Sequence, residues 1–246
     1  MLFRSPLFRD LDTAYGARLA GREPEWAPLP VSYADYTRWV LEVLGDPDDP
    51  ASRHARQLRY WREALGGLAL TSAGEQRPAK VLELVLDAQL HNEIRALAAS
   101  TGTSLFMIIH AALATLLPGD DLPIGTLVAG RTEEALSDLV GCFFNLLVLR
   151  TDTSGEPTFA ELLGRVRETT LAALDHQDIP FADLGIPYPR VMVVHHEQAG
   201  LADLGSITAI PPETTMTDLT LSCYQPVGEG PAFRSEERRV GKECRS

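Results

Sequence analysis

At 246 residues with a formal net charge of −12, the chain is long enough to bury a sizeable core and too acidic to neutralise a nucleic-acid backbone. Its 45% hydrophobic and 23% charged content is that of a globular protein, and no run of about 18 apolar residues occurs to span a membrane. Cys142, Cys223 and Cys244 are scattered without metal-ligand spacing, which points to a reducing, cytoplasmic setting; the charged start MLFRSPLFRDLD does not read as a signal peptide.

Residues 5–20 read as a helix with Leu7, Leu11, Tyr15 and Leu19 on one face. The stretch GREPEWAPLP follows as an extended linker, since Pro24, Pro28 and Pro30 oppose helix. VSYADYTRWVLEVL brings Tyr33, Tyr36, Trp39 and Val40 to one helical face as an aromatic core stripe. After the turn GDPDDP, a third helix places Leu58, Trp61 and Leu65 inward and stops at Gly66-Gly67. KVLELVLD reads as a strand. Asp87 then caps a helix running through Ser100, with Leu90, Ile94, Leu97 and Ala98 inward and Gly102 past its end. Ser104 caps LFMIIHAALATLL, which is apolar nearly all round and is therefore a buried helix; its His110 reads as a satisfied core histidine.

Between Ile124 and Arg150 two apolar runs, IGTLVAG and CFFNLLVLR, flank the acidic segment TEEALSDL. Each has the length and β-branched content of a strand buried on both faces. Arg131 and Asn145 interrupt them, and a buried polar group must find partners, so each is either a structural tie or part of a site. TDTSGEP turns the chain, with Pro157 at the first helical position. TFAELLGRVRETTLAAL aligns Phe159, Leu162, Leu163, Val166 and Leu174 in one stripe, and Pro180 ends any helix. RVMVVHH and TDLTLSCY read as strands. Strands alternating with long helices define an α/β layered domain. Beyond Phe233 periodicity is lost, and residues 235–246 hold four Lys/Arg against three Glu, an unstructured tail foreign in character to the domain.

The candidate chemistry is incomplete. His195 and His196 are adjacent on a strand, point to opposite faces and lack a nearby third ligand. His176 and Asp178, two apart at a helix end, organise either a pocket or a turn held by Asp178 bonds to the backbone. No phosphate-cradling Gly loop, GxSxG or CxxC occurs, so no catalytic residue and no metal site is assigned.

Four segments, in order, resemble the condensation domains of nonribosomal peptide synthetases. YADYTRW at 33–39 is similar to that family's YxDYAxW, and IGTLVAGRT at 124–132 to GTPVAGRT. VGCFFNLLVLRTD at 140–152 is similar to VGxFVNTLVLRTD, and HQDIPFADL at 176–184 to HQDVPFExL. The resemblance implies an α/β, chloramphenicol-acetyltransferase-like sandwich with two lobes and a tunnel between them. It also implies amide formation between thioesters borne on 4′-phosphopantetheine by carrier-protein domains, with no cofactor bound directly. Arg131 aligns with the Arg that pairs with the Asp of the family's active-site motif HHxxxDG, and Asn145 is implied to line the tunnel. Tyr33, Asp35, Tyr36, Trp39, Gly141, Arg150, His176, Gln177, Asp178, Pro180 and Phe181 are implied as structural motif positions.

HHxxxDG itself is absent; His195-His196 is followed by Gly200 and Leu201 where Asp and Gly would be needed. The expected division is therefore 1–25 as a remnant of the N-terminal lobe, 26–80 as an inter-lobe helical segment, 81–234 as the C-terminal lobe and 235–246 as the tail. The implied partners are carrier proteins, the missing N-terminal lobe and an adenylation domain of a parent synthetase, with no nucleic acid and no membrane. Without its motif the chain alone is expected to be inactive. Arg131 then needs another carboxylate or a water. The competing readings are a catalytically silent carrier-docking module and a stand-alone acyltransferase of the chloramphenicol-acetyltransferase type.

Overall fold

The computed structural model describes residues 4–70, 77–196, 214–224 and 232–237. Three helices come first, α1 (Arg4–Leu19), α2 (Tyr33–Leu44) and α3 (Arg53–Ala64). The short β1 (Arg77–Pro78) and β2 (Lys80–Val85) lead into α4 (Ala88–Thr101) and α5 (Leu105–Ala114). They are followed by β3 (Asp121–Val128), β4 (Asn145–Asp152) and α6 (Phe159–Asp175). The last described elements are β5 (Val191–His196), β6 (Thr214–Thr215), β7 (Leu219–Tyr224) and β8 (Ala232–Glu237).

Local chemistry sets the helix starts. Ser32, Ser52, Asp87, Ser104 and Thr158 each accept a hydrogen bond from the backbone N–H three residues on. Asp35 and Glu161 return the bond to the cap residue's N–H at 3.0 and 2.8 Å, closing capping boxes. Because Thr158 takes the cap position, Pro157 stands before α6 and not at its first helical position as expected. Gly102, in the left-handed region at φ 62°, ends α4.

Six strands form one mixed sheet in the order β2-β8-β7-β5-β3-β4. The central pairs β3–β5 and β5–β7 are parallel, and the flanking pairs are antiparallel. On one face α5 sends Ile109, Leu113 and Ala114 against Leu122, Ile124, Val193 and Cys223. The other side of α5, Met107, Ile108 and Ala111, packs on Leu162, Leu163 and Val166 of α6. β4 is an outer strand, yet Leu146 to Leu149 are buried in a continuous run. The reason is that Trp61 of α3, Leu65 just past it, Ala173 of α6 and Ile179 pack on Leu147 to Leu149, while Leu146 packs on Met192 and Val194 of β5. Arg150 fastens that cover: its Nε and Nη2 donate to the two Asp121 oxygens at 2.8 Å, and its Nη1 to the carbonyls of Ala64 and Gly66 at 3.1 and 3.0 Å.

Several expectations need correction. Leu7, Leu11, Tyr15 and Leu19 do share a face of α1, but that face is exposed, and Pro6 and Ala17 are the residues that bury. Ile94 and Ala98 of α4 pack inward while Leu90 and Leu97 stay exposed, because only one narrow edge of α4 meets α5. Tyr33 and Trp39 are partly exposed instead of forming core. Residues 235–237, expected in the tail, form the end of β8 and pair with both β2 and β7, since two neighbouring strands offer them backbone partners. The rest of the expected tail, 238–246, lies outside the described residues. No single helix among the described residues is long and apolar enough to cross a membrane.

Candidate functional site

The chain leaves β3 at Val128 and returns to the sheet at Asn145. The loop between them is possible only with glycine at two points. Gly130 has φ +65°, and a Cβ there would lie 1.8 Å from the Phe143 carbonyl oxygen. A Cβ on Gly141 would lie 2.4 Å from the Tyr33 ring. That close approach lets α2 lie on the loop: the Tyr33 hydroxyl donates to the Cys142 carbonyl at 2.7 Å, and the Tyr36 and Phe143 rings sit 4.6 Å apart. Gly141→Ala is expected to push the Tyr33 ring away and lower stability by about 1–3 kcal/mol, read from a urea unfolding midpoint.

Arg131 follows Gly130 and turns into this loop. Its Nη1 donates to the Leu136 carbonyl, its Nη2 reaches the Gly141 carbonyl at a long 3.5 Å, and its guanidinium lies 4.1 Å from the centre of the Phe143 ring. Its Nε makes no hydrogen bond among the described residues. Burial lowers the pKa of this guanidinium, while the nearby Tyr36 and Tyr33 act in the opposite direction. Among the described residues the guanidinium therefore meets carbonyl oxygens and an aromatic face, and no carboxylate pairs with it.

Asn145 is a tie. Its Nδ2 donates to the carbonyls of Gln177 and Ile179 at 2.8 and 2.7 Å, and its Oδ1 accepts from the N–H groups of Phe181 and Leu146 at 3.1 and 2.9 Å. The carboxamide therefore holds the segment that follows α6. From the other side Gln57 of α3 accepts from the N–H groups of Asp178 and Ile179 at 3.1 and 3.0 Å and donates to the Asp178 carboxylate at 2.6 Å. Arg53 pairs with the same carboxylate at 2.5 Å. Asp178 therefore faces α3 instead of bonding to the backbone of its own turn. His176 stacks on Tyr60 at 3.8 Å with its Nδ1 2.8 Å from the Ala172 carbonyl, and Trp61 Nε1 donates to the His176 carbonyl at 2.9 Å.

α2, the Gly130–Asn145 loop and the post-α6 turn enclose a cavity of about 570 Å³. Tyr36, Trp39, Phe143 and Pro180 supply apolar walls; Arg53, Glu133, Asp175 and Asp178 supply charge. Burial raises the Tyr36 hydroxyl pKa, an effect strengthened by Tyr33 and Asp178. Of the residues implied as motif positions, Tyr36, Trp39, Gln177, Asp178 and Pro180 border this cavity, as does Asn145. Asp35 is occupied with the Ser32 cap and an ion pair to Arg38 at 2.6 Å, and Arg150 works at the far end of β4. His195 and His196 lie in register with Cys223 and Tyr224 on the neighbouring strand, and no group of three metal-ligating side chains occurs among the described residues. Cys142 is exposed beside the cavity, whereas burial pushes the Cys223 thiol up to about 12. Arg53 and Gln57 were missed in the sequence. The available signal was the spacing of His54, Gln57 and Trp61, which puts two polar residues on the buried face of α3.

A mixed α/β sheet covered by helices, with a loop-lined cavity where β3 and β4 part, defines the class. Residues 5–188 match the family described as Condensation domain. The chain belongs to the condensation-domain family. It is 52% identical over 189 residues to a probable non-canonical nonribosomal peptide synthetase, CymA, of Salinispora arenicola, covering 72% of this chain and 2% of that protein. It is 49% identical over 193 residues to a dimodular nonribosomal peptide synthase of Bacillus subtilis, covering 73% of this chain and 8% of that protein. Among solved structures, the X-domain from teicoplanin biosynthesis is similar with a TM-score of 0.80 and 30% identity, over 95% of this chain and 60% of that one. The chain thus spans only a small part of these curated relatives, and its fold is the condensation-domain fold that the four segments implied.

Proposed function

We propose that the chain serves as part of a condensation domain that joins carrier-borne aminoacyl or peptidyl groups through an amide bond. One observation carries this reading: three segments far apart in sequence, 33–39, 130–145 and 175–180, converge on one cavity, and they hold the family-like motifs. In this reading the cavity is one wall of the passage through which two 4′-phosphopantetheine arms meet. The acceptor amine nitrogen attacks the donor thioester carbonyl, the C–N bond forms, the C–S bond breaks, and the proton shed by the amine goes to the departing thiolate. Arg131 braces the Gly130–Asn145 loop, and Asn145 holds the opposite wall. The histidine that assists the amine is a member of HHxxxDG, a sequence that does not occur in these 246 residues. The family match supports this reading above a silent docking module or a stand-alone acyltransferase.

The chain by itself is expected to give no amide product above background from carrier-loaded substrates. Fused behind a family segment that supplies HHxxxDG, it is expected to give product, with a second-His-to-Ala fusion as the blank. A folded fusion that does no better than that blank would sink the proposal.

A further inference from the structure

We propose that Gln57 is a positioning residue for the cavity, fixing where the wall formed by residues 177–180 stands. Gln57 is 3% exposed, and its carboxamide is fully committed to Asp178 and Ile179. Asn145 holds the same turn through Gln177, Ile179 and Phe181. Two amides, one on α3 and one on β4, therefore take the backbone donors at 178, 179 and 181 and the acceptors at 177 and 179. These groups sit outside any helix or sheet ladder, so side chains set the place of this wall. Asn145 fixes the turn to the sheet. Gln57 fixes it to α3, one turn along from Arg53, which borders the cavity and pairs with the same carboxylate.

The Nε2 bond to Asp178 has a second consequence. It holds that carboxylate toward Arg53, so the cavity meets a matched pair instead of a free anion and a free cation. Loss of the Gln57 amide leaves the buried Ile179 N–H and the half-buried Asp178 N–H without acceptors and lets Asp178 swing, which moves the wall and changes the charge the cavity presents. This inference rests on the reading of the cavity as a thioester passage only for the identity of its ligand.

The test uses the 246-residue chain with two readouts. One is hydrogen exchange at the Asp178 and Ile179 amides. The other is calorimetric affinity for an aminoacyl-pantetheine in which an amide replaces the thioester. Gln57→Met, of similar length but unable to make these bonds, is expected to speed exchange at both amides about tenfold and weaken the probe about tenfold, with β3–β4 amides unchanged. Gln57→Glu keeps an acceptor but sets a carboxylate against Asp178, and should weaken the probe by about fivefold or more. The double variant Gln57→Glu/Asp178→Asn exchanges donor and acceptor across the same contact and is expected to restore affinity, a rescue that packing alone would not produce. Unchanged exchange in Gln57→Met, or a double variant no better than Gln57→Glu where the parent chain binds the probe, overturns the inference. If the unmodified chain ignores the probe while Gln57→Met shows the exchange change, the thioester reading fails and the positioning role stands.

Discussion

Asn145→Leu is expected to lower the unfolding free energy by about 3–4 kcal/mol, the largest loss for any single polar residue bordering the cavity. The side chain fits by volume, so the loss comes from partners and not from a hole. Two carbonyls at 2.8 and 2.7 Å lose their donor, and the Phe181 and Leu146 N–H groups lose their acceptor. Each orphaned buried group costs ~1–3 kcal/mol, and the partly exposed turn can recruit water for some of them, which keeps the sum near the lower bound. Urea denaturation followed by far-UV circular dichroism measures it. Asn145→Asp is a sharper version. It keeps the acceptor but points an oxygen at two carbonyl oxygens, and at neutral pH it should lose at least as much as the leucine variant. A leucine variant within about 1 kcal/mol of the parent chain would mean that Gln57 alone suffices to hold the turn.

The contrast between Asn145 and Arg131 shows what the sequence could reveal. Both stood out as polar residues in apolar runs, and that inference needs only the cost of burial. The partners were not legible, because they are backbone groups brought in by the fold: Gln177 and Ile179 for Asn145, Leu136 and Gly141 for Arg131. Local signals did better. Asp87, Ser104 and Gly102 act within one helical turn of where they sit, and each caps as read. The periodicity of α1 correctly grouped Leu7, Leu11, Tyr15 and Leu19, but periodicity reports which residues share a face and is silent on what covers it. β8 failed for the same physical reason in reverse. Ser235, Glu236 and Glu237 carry no strand propensity worth the name, and their pairing is granted by the two strands beside them. The cavity itself was not legible, since nothing in the residues alone says that α2 lies beside the 177–180 turn.

Acid is expected to destabilise the chain well above the pH at which its carboxylates protonate, and His110 is the cause. This side chain is 1% exposed in the middle of α5, with Nε2 2.7 Å from the Thr151 hydroxyl and Nδ1 without a hydrogen-bond partner among the described residues. Burial disfavours the charge and holds the folded-state pKa at about 4 against 6.5 for a free histidine. The folded value lies below the unfolded one, so the unfolded chain binds the proton first as pH falls. Stability is therefore full above about pH 6.5, drops by ~1.4 kcal/mol per unit below it, and levels off near pH 4 after a loss of about 3 kcal/mol. Asp35, Asp152 and Glu161 have pKa values lowered by hydrogen bonds from Ser32, Ser154 and Thr158, so their loss comes later, as pH falls below the ordinary carboxylate range. The window between pH 6.5 and 5 thus isolates the imidazole from these three carboxylates. His110→Leu removes the titrating group, and unfolding free energies measured at half-unit steps should show a nearly flat line where the parent chain slopes. An equal slope in both proteins would place the proton uptake elsewhere and remove His110 from the account.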